Sequence, residues 1–326
     1  MDTKRALRIA RVTVLLGVAS LLVVFSAGGE PGPDEVGSFP FAERRTELRD
    51  EGRDRSIDLL VIYPVDATES PVRSCPLIVF NHGFLLSGDG YRSYGRHLAS
   101  HGFVVALPTL PMTLWDVHHA ELAADVRFAL DSCLDVSEDQ DHPLFGAIDG
   151  SRIGASGHSL GGKLSLLEAV ADERIRAAAL LDPVDGGNPV FPDPERYPSV
   201  APERMPELEI PILLIGAELG SRTAFLTPCA PEDENYQRFF EAANPPAIEI
   251  TQLDVGHGQY VDKAAAAILS TCSIGDVPSE RVRSSAAAYL AAFFLWTLND
   301  SDTALAWLEA QLLLDEAEGR ILVRRK

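Results

Sequence analysis

The sequence predicts an α/β fold: a mainly parallel central sheet with helices on both faces. Two observations carry this. From residue 55 onward, short apolar runs bounded by Pro or Gly alternate with longer segments of helical periodicity, and no internal repeat interrupts the alternation. Several of those runs, such as Leu77-Ile78-Val79-Phe80, are apolar at every position, as strands covered on both faces must be.

Each element has its own local warrant. Residues 57–63 read as a strand closed by Pro64, and residues 77–80 as a buried strand. Residues 91–100 read as a helix ended by Gly102, and 103–107 as the next strand, stopped by Pro108. A helix is predicted over 115–134, with Leu122, Val126, Ala129 and Leu130 at helical spacing. The acidic stretch 135–149 reads as a solvated connection. A strand over 153–156 and a helix over 161–171 follow, then strands at 177–181, 212–215 and 248–253 and a helix over 284–297. A last helix over 301–318 carries Leu305, Leu308, Leu312 and Leu313 along a face, a packing pattern, before a basic tail over 320–326.

Composition narrows the function classes. The chain has 326 residues, and its 28 Lys+Arg against 48 Asp+Glu leave a net charge of −20. A general nucleic-acid binder is excluded, because such proteins need basic groups to displace counterions from phosphates. A hydrophobic content of 46% excludes wholesale disorder. Residues 1–28 read as a signal peptide or N-terminal anchor: Lys4, Arg5, Arg8 and Arg11 precede an apolar run to Phe25, then small residues. That apolar run is shorter than the ~20 residues of a comfortable membrane span, so export is expected, with membrane contact only if the segment stays uncleaved. A linker over 29–37 leads to one domain over 38–299 with a cap-like loop at 186–209; residues 300–326 form a C-terminal helix and tail. A monomer is expected.

The four cysteines, Cys75, Cys133, Cys229 and Cys272, allow three pairings. None has C-x-x-C spacing or a histidine at ligand spacing, so no metal is expected. Cys229 and Cys272 flank the segment carrying His257 and are expected to bridge, holding that loop against the preceding strand.

Three segments carry chemistry. The first is G-H-S-L-G-G over 157–162, between a predicted strand and a predicted helix. A nucleophilic serine on a sharp strand-to-helix turn needs that context, with glycines where side chains would collide. Ser159 is the candidate nucleophile. The second is Asn81-His82-Gly83-Phe84, after a buried strand. An acyl-transfer enzyme must hold a tetrahedral oxyanion on preorganised N–H groups, and the backbone amides of Phe84 and Leu160 are the candidates. His82 reads as a histidine that packs the turn. The third is Asp254-Val255-Gly256-His257-Gly258, whose His257 follows a late strand and would activate the serine. For the acid, Asp182 stands directly after the strand 177–181; Asp185 and Glu218 are alternatives whose plain readings are a turn residue and a surface charge.

Residues 75–108 (CPLIVFNHGFLLSGDGYRSYGRHLASHGFVVALP), 157–163 (GHSLGGK), 181–186 (LDPVDG), 216–231 (GAELGSRTAFLTPCAP) and the later Gly256-His257 resemble the chlorophyllase family of the α/β-hydrolase superfamily. Polyester hydrolases and platelet-activating-factor acetylhydrolases share the elbow but resemble the chain less. The resemblance implies an α/β-hydrolase fold, ester hydrolysis without a cofactor, and a triad acid at Asp182; in many relatives of the fold the acid instead occupies the place of Gly220. Plant chlorophyllases carry Arg after the nucleophile where this chain has Leu160, so the resemblance leaves the substrate open among small-molecule, lipid and polymer esters. The same parts would also serve acyl transfer, peptide cleavage or non-catalytic binding of an apolar ligand, which product analysis and fluorophosphonate labelling distinguish.

Overall fold

The computed structural model describes residues 31–114, 116–187, 192–224, 226–262 and 271–326. The N-terminal leader and the start of its linker therefore lie outside the described residues, as do Trp115 and part of the cap-like loop. Among the described residues no helix is long and apolar enough to cross a membrane.

Nine strands among the described residues form one sheet: β1 (Phe41–Asp50), β2 (Arg55–Pro64), β3 (Cys75–Asn81), β4 (Val104–Thr109), β5 (Ile148–His158), β6 (Ile175–Leu181), β7 (Ile212–Ala217), β8 (Ala247–Gln252) and β9 (Ile321–Arg325). Their order is β1-β2-β4-β3-β5-β6-β7-β8-β9. The central run from β4 to β8 is parallel throughout. β1, β2 and β9 pair antiparallel at the two edges.

Alternation along the strands divides the apolar residues between two cores. Leu77 and Val79 of β3 join Leu122 and Val126 of α2 (His119–Glu138), Leu164 of α3 (Leu160–Ala171) and Phe239 of α4 (Tyr236–Ala242). Ile78 and Phe80 turn the other way, to Leu98 of α1 (Arg92–Ser100), Phe294 of α5 (Ser279–Asn299) and Leu308 of α6 (Asp302–Ala317). β3 is consequently buried at all of its positions, which is why it reads as an unbroken apolar run.

The structure differs from the sequence reading mainly at the edges. β1 reads FAERRTELRD and is mostly exposed, so it has no apolar periodicity to betray it. It is held by a ten-residue antiparallel register with β2. The basic tail, expected as an appendage, is β9. Arg324 contacts both Glu241 and Glu249, and Lys326 donates to the carbonyls of Phe240 and Glu241 at 2.7 and 2.8 Å. α2 runs four residues further than its periodicity indicates, into the acidic stretch read as loop.

Candidate active site

The site lies at the carboxyl edge of the parallel strands, where loops from adjacent strands converge. Three strand ends meet there. β5 and β6 are neighbours in matched register, with His158 opposite Leu181, so Ser159 and Asp182 leave the sheet side by side. The Ser159 N–H donates to the Leu181 carbonyl at 3.0 Å, and the Asp182 N–H to the Ile215 carbonyl at 2.6 Å. His257 follows β8.

Ser159 has φ 56° and ψ −124°, a left-handed conformation that a non-glycine residue adopts only under constraint. The turn around it has no room for side chains. A Cβ at Gly157 would lie 2.5 Å from the Gly161 carbonyl oxygen, and one at Gly161 only 2.1 Å from that of Asn81. The glycines of the motif thus let the elbow press against the end of β3, and the first turn of α3 starts directly behind Ser159.

His257 bridges the other two groups. Its Nε2 is 2.9 Å from Ser159 Oγ, and its Nδ1 is 2.7 Å from Asp182 Oδ2. Asp182 is fully buried and His257 nearly so. The second carboxylate oxygen of Asp182 accepts the Ala217 N–H at 3.2 Å, which fixes the rotation of the carboxylate. Asp182 itself sits at φ 40°, so backbone strain is concentrated at both ends of the row.

The rival acids are committed elsewhere. Glu218 is exposed and accepts the Asp254 N–H at 2.7 Å. Asp185 is not a simple turn residue: it forms a buried ion pair with Lys163 at 3.1 Å and accepts from Ser199 Oγ and the N–H groups of Val200 and Ala201. Burial pulls the Lys163 ammonium down and Asp185 pulls it back up. Lys163 also donates to the Gly186 carbonyl at 2.9 Å. This pair ties both ends of the loop that forms one wall of the cleft, a role the sequence reading missed because neither residue type signals burial.

Phe84 and Leu160 lie with Ser159 around one cleft of about 420 Å³, together with Val117, Val184 and Tyr197. The backbone N–H groups of Phe84 and Leu160 donate to no acceptor among the described residues. His82 is fully buried; its Nδ1 is 2.8 Å from the Gly83 carbonyl, and its Nε2 accepts the Leu110 N–H at 2.8 Å. Cys229 is joined to Cys272, with Cα atoms 5.5 Å apart, and Cys229 also lines the cleft. Cys75 and Cys133 are buried free thiols, raised to about 11 and about 12 by desolvation, and so stay protonated.

Comparison with known proteins identifies the family and the fold. The chlorophyllase family model matches residues 35–315. The chain is 25% identical to Chlorophyllase-1 of Arabidopsis thaliana over 338 residues, covering 90% of this chain and 96% of the relative. It is 30% identical to the chloroplastic Chlorophyllase-1 of Citrus unshiu over 190 residues, 57% of this chain and 55% of that one. Among solved structures, a ferulic acid esterase from Streptomyces cinnamoneus superposes with a TM-score of 0.61 at 19% identity, over 81% of this chain and 91% of the other, a likeness of fold. With the elbow, the sheet order and the family match in place, the chain belongs to the chlorophyllase family and is a carboxylic-ester hydrolase of the α/β-hydrolase fold.

Proposed function

We propose that the enzyme cleaves its ester through a Ser159–His257–Asp182 triad and an acyl-enzyme. His257 Nε2 takes the Ser159 proton as Oγ attacks the ester carbonyl carbon. Asp182 holds Nδ1–H, fixing the tautomer and stabilising the imidazolium that forms. The N–H groups of Phe84 and Leu160 hold the oxyanion. His257 then protonates the leaving alcohol, and water, activated by the same imidazole, releases the acid.

The observation that carries this reading is the unbroken hydrogen-bonded row from Asp182 to Ser159 beside two backbone donors with no other acceptor. The cleft walls are mainly apolar, which fits an ester with an apolar acyl or alcohol part. Ser159→Ala is expected to lower turnover of p-nitrophenyl esters by about 10⁴-fold or more while leaving the unfolding curve unchanged, since triad members act as a unit. Retention of more than a few per cent of activity in a preparation free of parent enzyme refutes the assignment.

Export is proposed as well. It is supported by the basic-then-apolar leader and by the Cys229–Cys272 disulfide, a bond that persists in oxidising compartments. Recovery of the chain only from the cytosol of its producing cells, with Cys229 and Cys272 both alkylatable, refutes it.

A further inference from the structure

Beneath the row of Asp182, His257 and Ser159 lies a second hydrogen-bonded chain, fully buried and fully directed. The Gly83 N–H donates to Tyr91 Oη at 3.2 Å, Tyr91 Oη is 2.6 Å from His158 Nδ1, and His158 Nε2 is 3.0 Å from the His257 carbonyl oxygen. Its proton positions follow from what each end can do. A carbonyl only accepts, so Nε2 of His158 carries a hydrogen. In a neutral imidazole Nδ1 is then bare and accepts the one hydrogen of the phenol. The phenol oxygen keeps a lone pair for the Gly83 N–H.

We propose that Tyr91 and His158 form a fixed-polarity relay that sets the oxyanion loop and the backbone of His257 in register, making both of them positioning residues for ester hydrolysis. The inference rests on the triad and oxyanion reading given above. One end of the relay is the amide immediately before Phe84, and the other is the carbonyl of His257 itself. Its second member, His158, immediately precedes Ser159 in the chain.

The packing is as close as the bonding. A Cβ at Gly83 would lie 3.2 Å from His158 Nδ1 and 3.3 Å from the Ser159 Cβ, so the loop rests directly on the elbow. Tyr91 and His158 both have zero exposure, so water cannot replace a lost partner. Protonating His158 would break the relay, since Nδ1–H would face the phenol hydrogen, and would place a cation in a ring whose centroid is 4.6 Å from that of His257. Burial and the neighbouring His257 hold His158 well below the usual histidine range, consistent with a permanently neutral member. The Tyr91 ring packs on Phe80 at 5.1 Å, an apolar contact that a phenylalanine would keep.

The test measures kcat per reactive serine on p-nitrophenyl butyrate, with sites counted by fluorophosphonate titration, for Tyr91→Phe, His158→Leu and the double variant. Each single variant is expected to lose about ten- to hundredfold in kcat per labelled site with KM within about twofold, the size of effect that a small misplacement of reacting groups produces. The double variant is expected to be no worse than the poorer single one, because one break already interrupts the relay. Full kcat per labelled serine in Tyr91→Phe, or losses that multiply in the double variant, overturns the proposal. A purely structural role lowers the labelled fraction and leaves kcat per label intact, which also overturns it. If Tyr91→Phe yields no folded protein, His158→Gln decides against His158→Leu. Glutamine offers one acceptor and one donor and is expected to keep at least about tenfold more kcat than leucine, while equal losses overturn the relay. Active Ser159→Ala refutes the triad reading, whereas inactive Ser159→Ala with full-rate Tyr91→Phe refutes the relay alone.

Discussion

Gly220 and Asp182 compete for the same space beside His257. A Cβ built on Gly220 would stand 2.8 Å from Asp182 Oδ2, the oxygen that faces His257 Nδ1. The two positions therefore serve the same place from neighbouring strands, and a side chain at one must displace the carboxylate of the other. Asp182→Asn is expected to preserve folding and cut turnover by about 10⁴-fold, because an amide favours the wrong imidazole tautomer. Glu218→Gln is expected to change turnover little, since among the described residues the Glu218 carboxylate accepts only the Asp254 N–H. Steady-state kinetics on the two variants check the assignment, and the reverse pattern refutes it. Gly220→Ala is expected to lower kcat about tenfold or more by pushing the Asp182 carboxylate off His257, with a much smaller effect on KM.

Among the elements, those that sequence patterning reveals are the ones buried on two faces or along a stripe. β3, α2 and α3 are of this kind. β1 and β9 are not. Each is an edge strand rich in Arg or Glu, a composition that discourages pairing with another chain and also removes the apolar alternation by which strands are read. β9 depends on partners distant in sequence, among them Glu249 at a separation of 75 residues, and no local pattern announces such a pairing. The Cys229–Cys272 bond works at the same scale. It closes a segment with a sequence separation of 43 that contains β8 and His257, and cross-linking a loop of this size restricts the unfolded chain. Cys272→Ser is expected to destabilise the fold by about 2–4 kcal/mol, measured by denaturant unfolding, and to weaken activity through the cleft wall at Cys229. Unchanged stability refutes a structural role for the bond.

For the molecule as a whole, buried neutral histidines set the response to acid. Desolvation pulls His82 down to about 4 and His119 to about 3, and His158 falls well below its usual 6.5. In the unfolded chain each binds a proton near pH 6.5, but in the fold each resists it. Their contribution is complete above pH 6.5 and is lost as pH falls through that value toward 4. Glu168 acts in the opposite sense. Burial raises it to about 7 although Arg127 lies 2.6 Å away, so the fold gains on its protonation as pH falls from 7 to 4.5. His97 and His101 are lowered by burial as well, and Glu234 and Glu249 are raised alongside Glu168. The five histidines outweigh the three carboxyls, and stability is expected to drop by a few kcal/mol, on an order-of-magnitude scale, between pH 7 and pH 4.5. Denaturant midpoints across that range check this, and a constant or rising midpoint contradicts it. Glu168→Gln is expected to raise stability at pH 8 by about 1 kcal/mol or more and to have little effect at pH 4.5.

The sequence by itself determined the strand–helix alternation, the elbow at Ser159, the loop at Phe84 and the late histidine, because each is written in residues adjacent in the chain. Apolar runs, glycines at a tight turn and a histidine after a strand are local signals, and local sterics and burial dictate them. Asp182 was legible in part: its place after a strand could be read, but its reach to His257 depends on β6 lying beside β5 and on Gly220 leaving space. Tertiary structure alone decided the edge strands, the buried Lys163–Asp185 tether and the Tyr91–His158 chain. For β9, the tether and the Tyr91–His158 chain the partners lie 22 residues apart or more, and a hydrogen bond or ion pair at that separation exists only once the two apolar cores have brought the segments together. β1 pairs with its chain neighbour β2, and its exposed, charged sequence hides it.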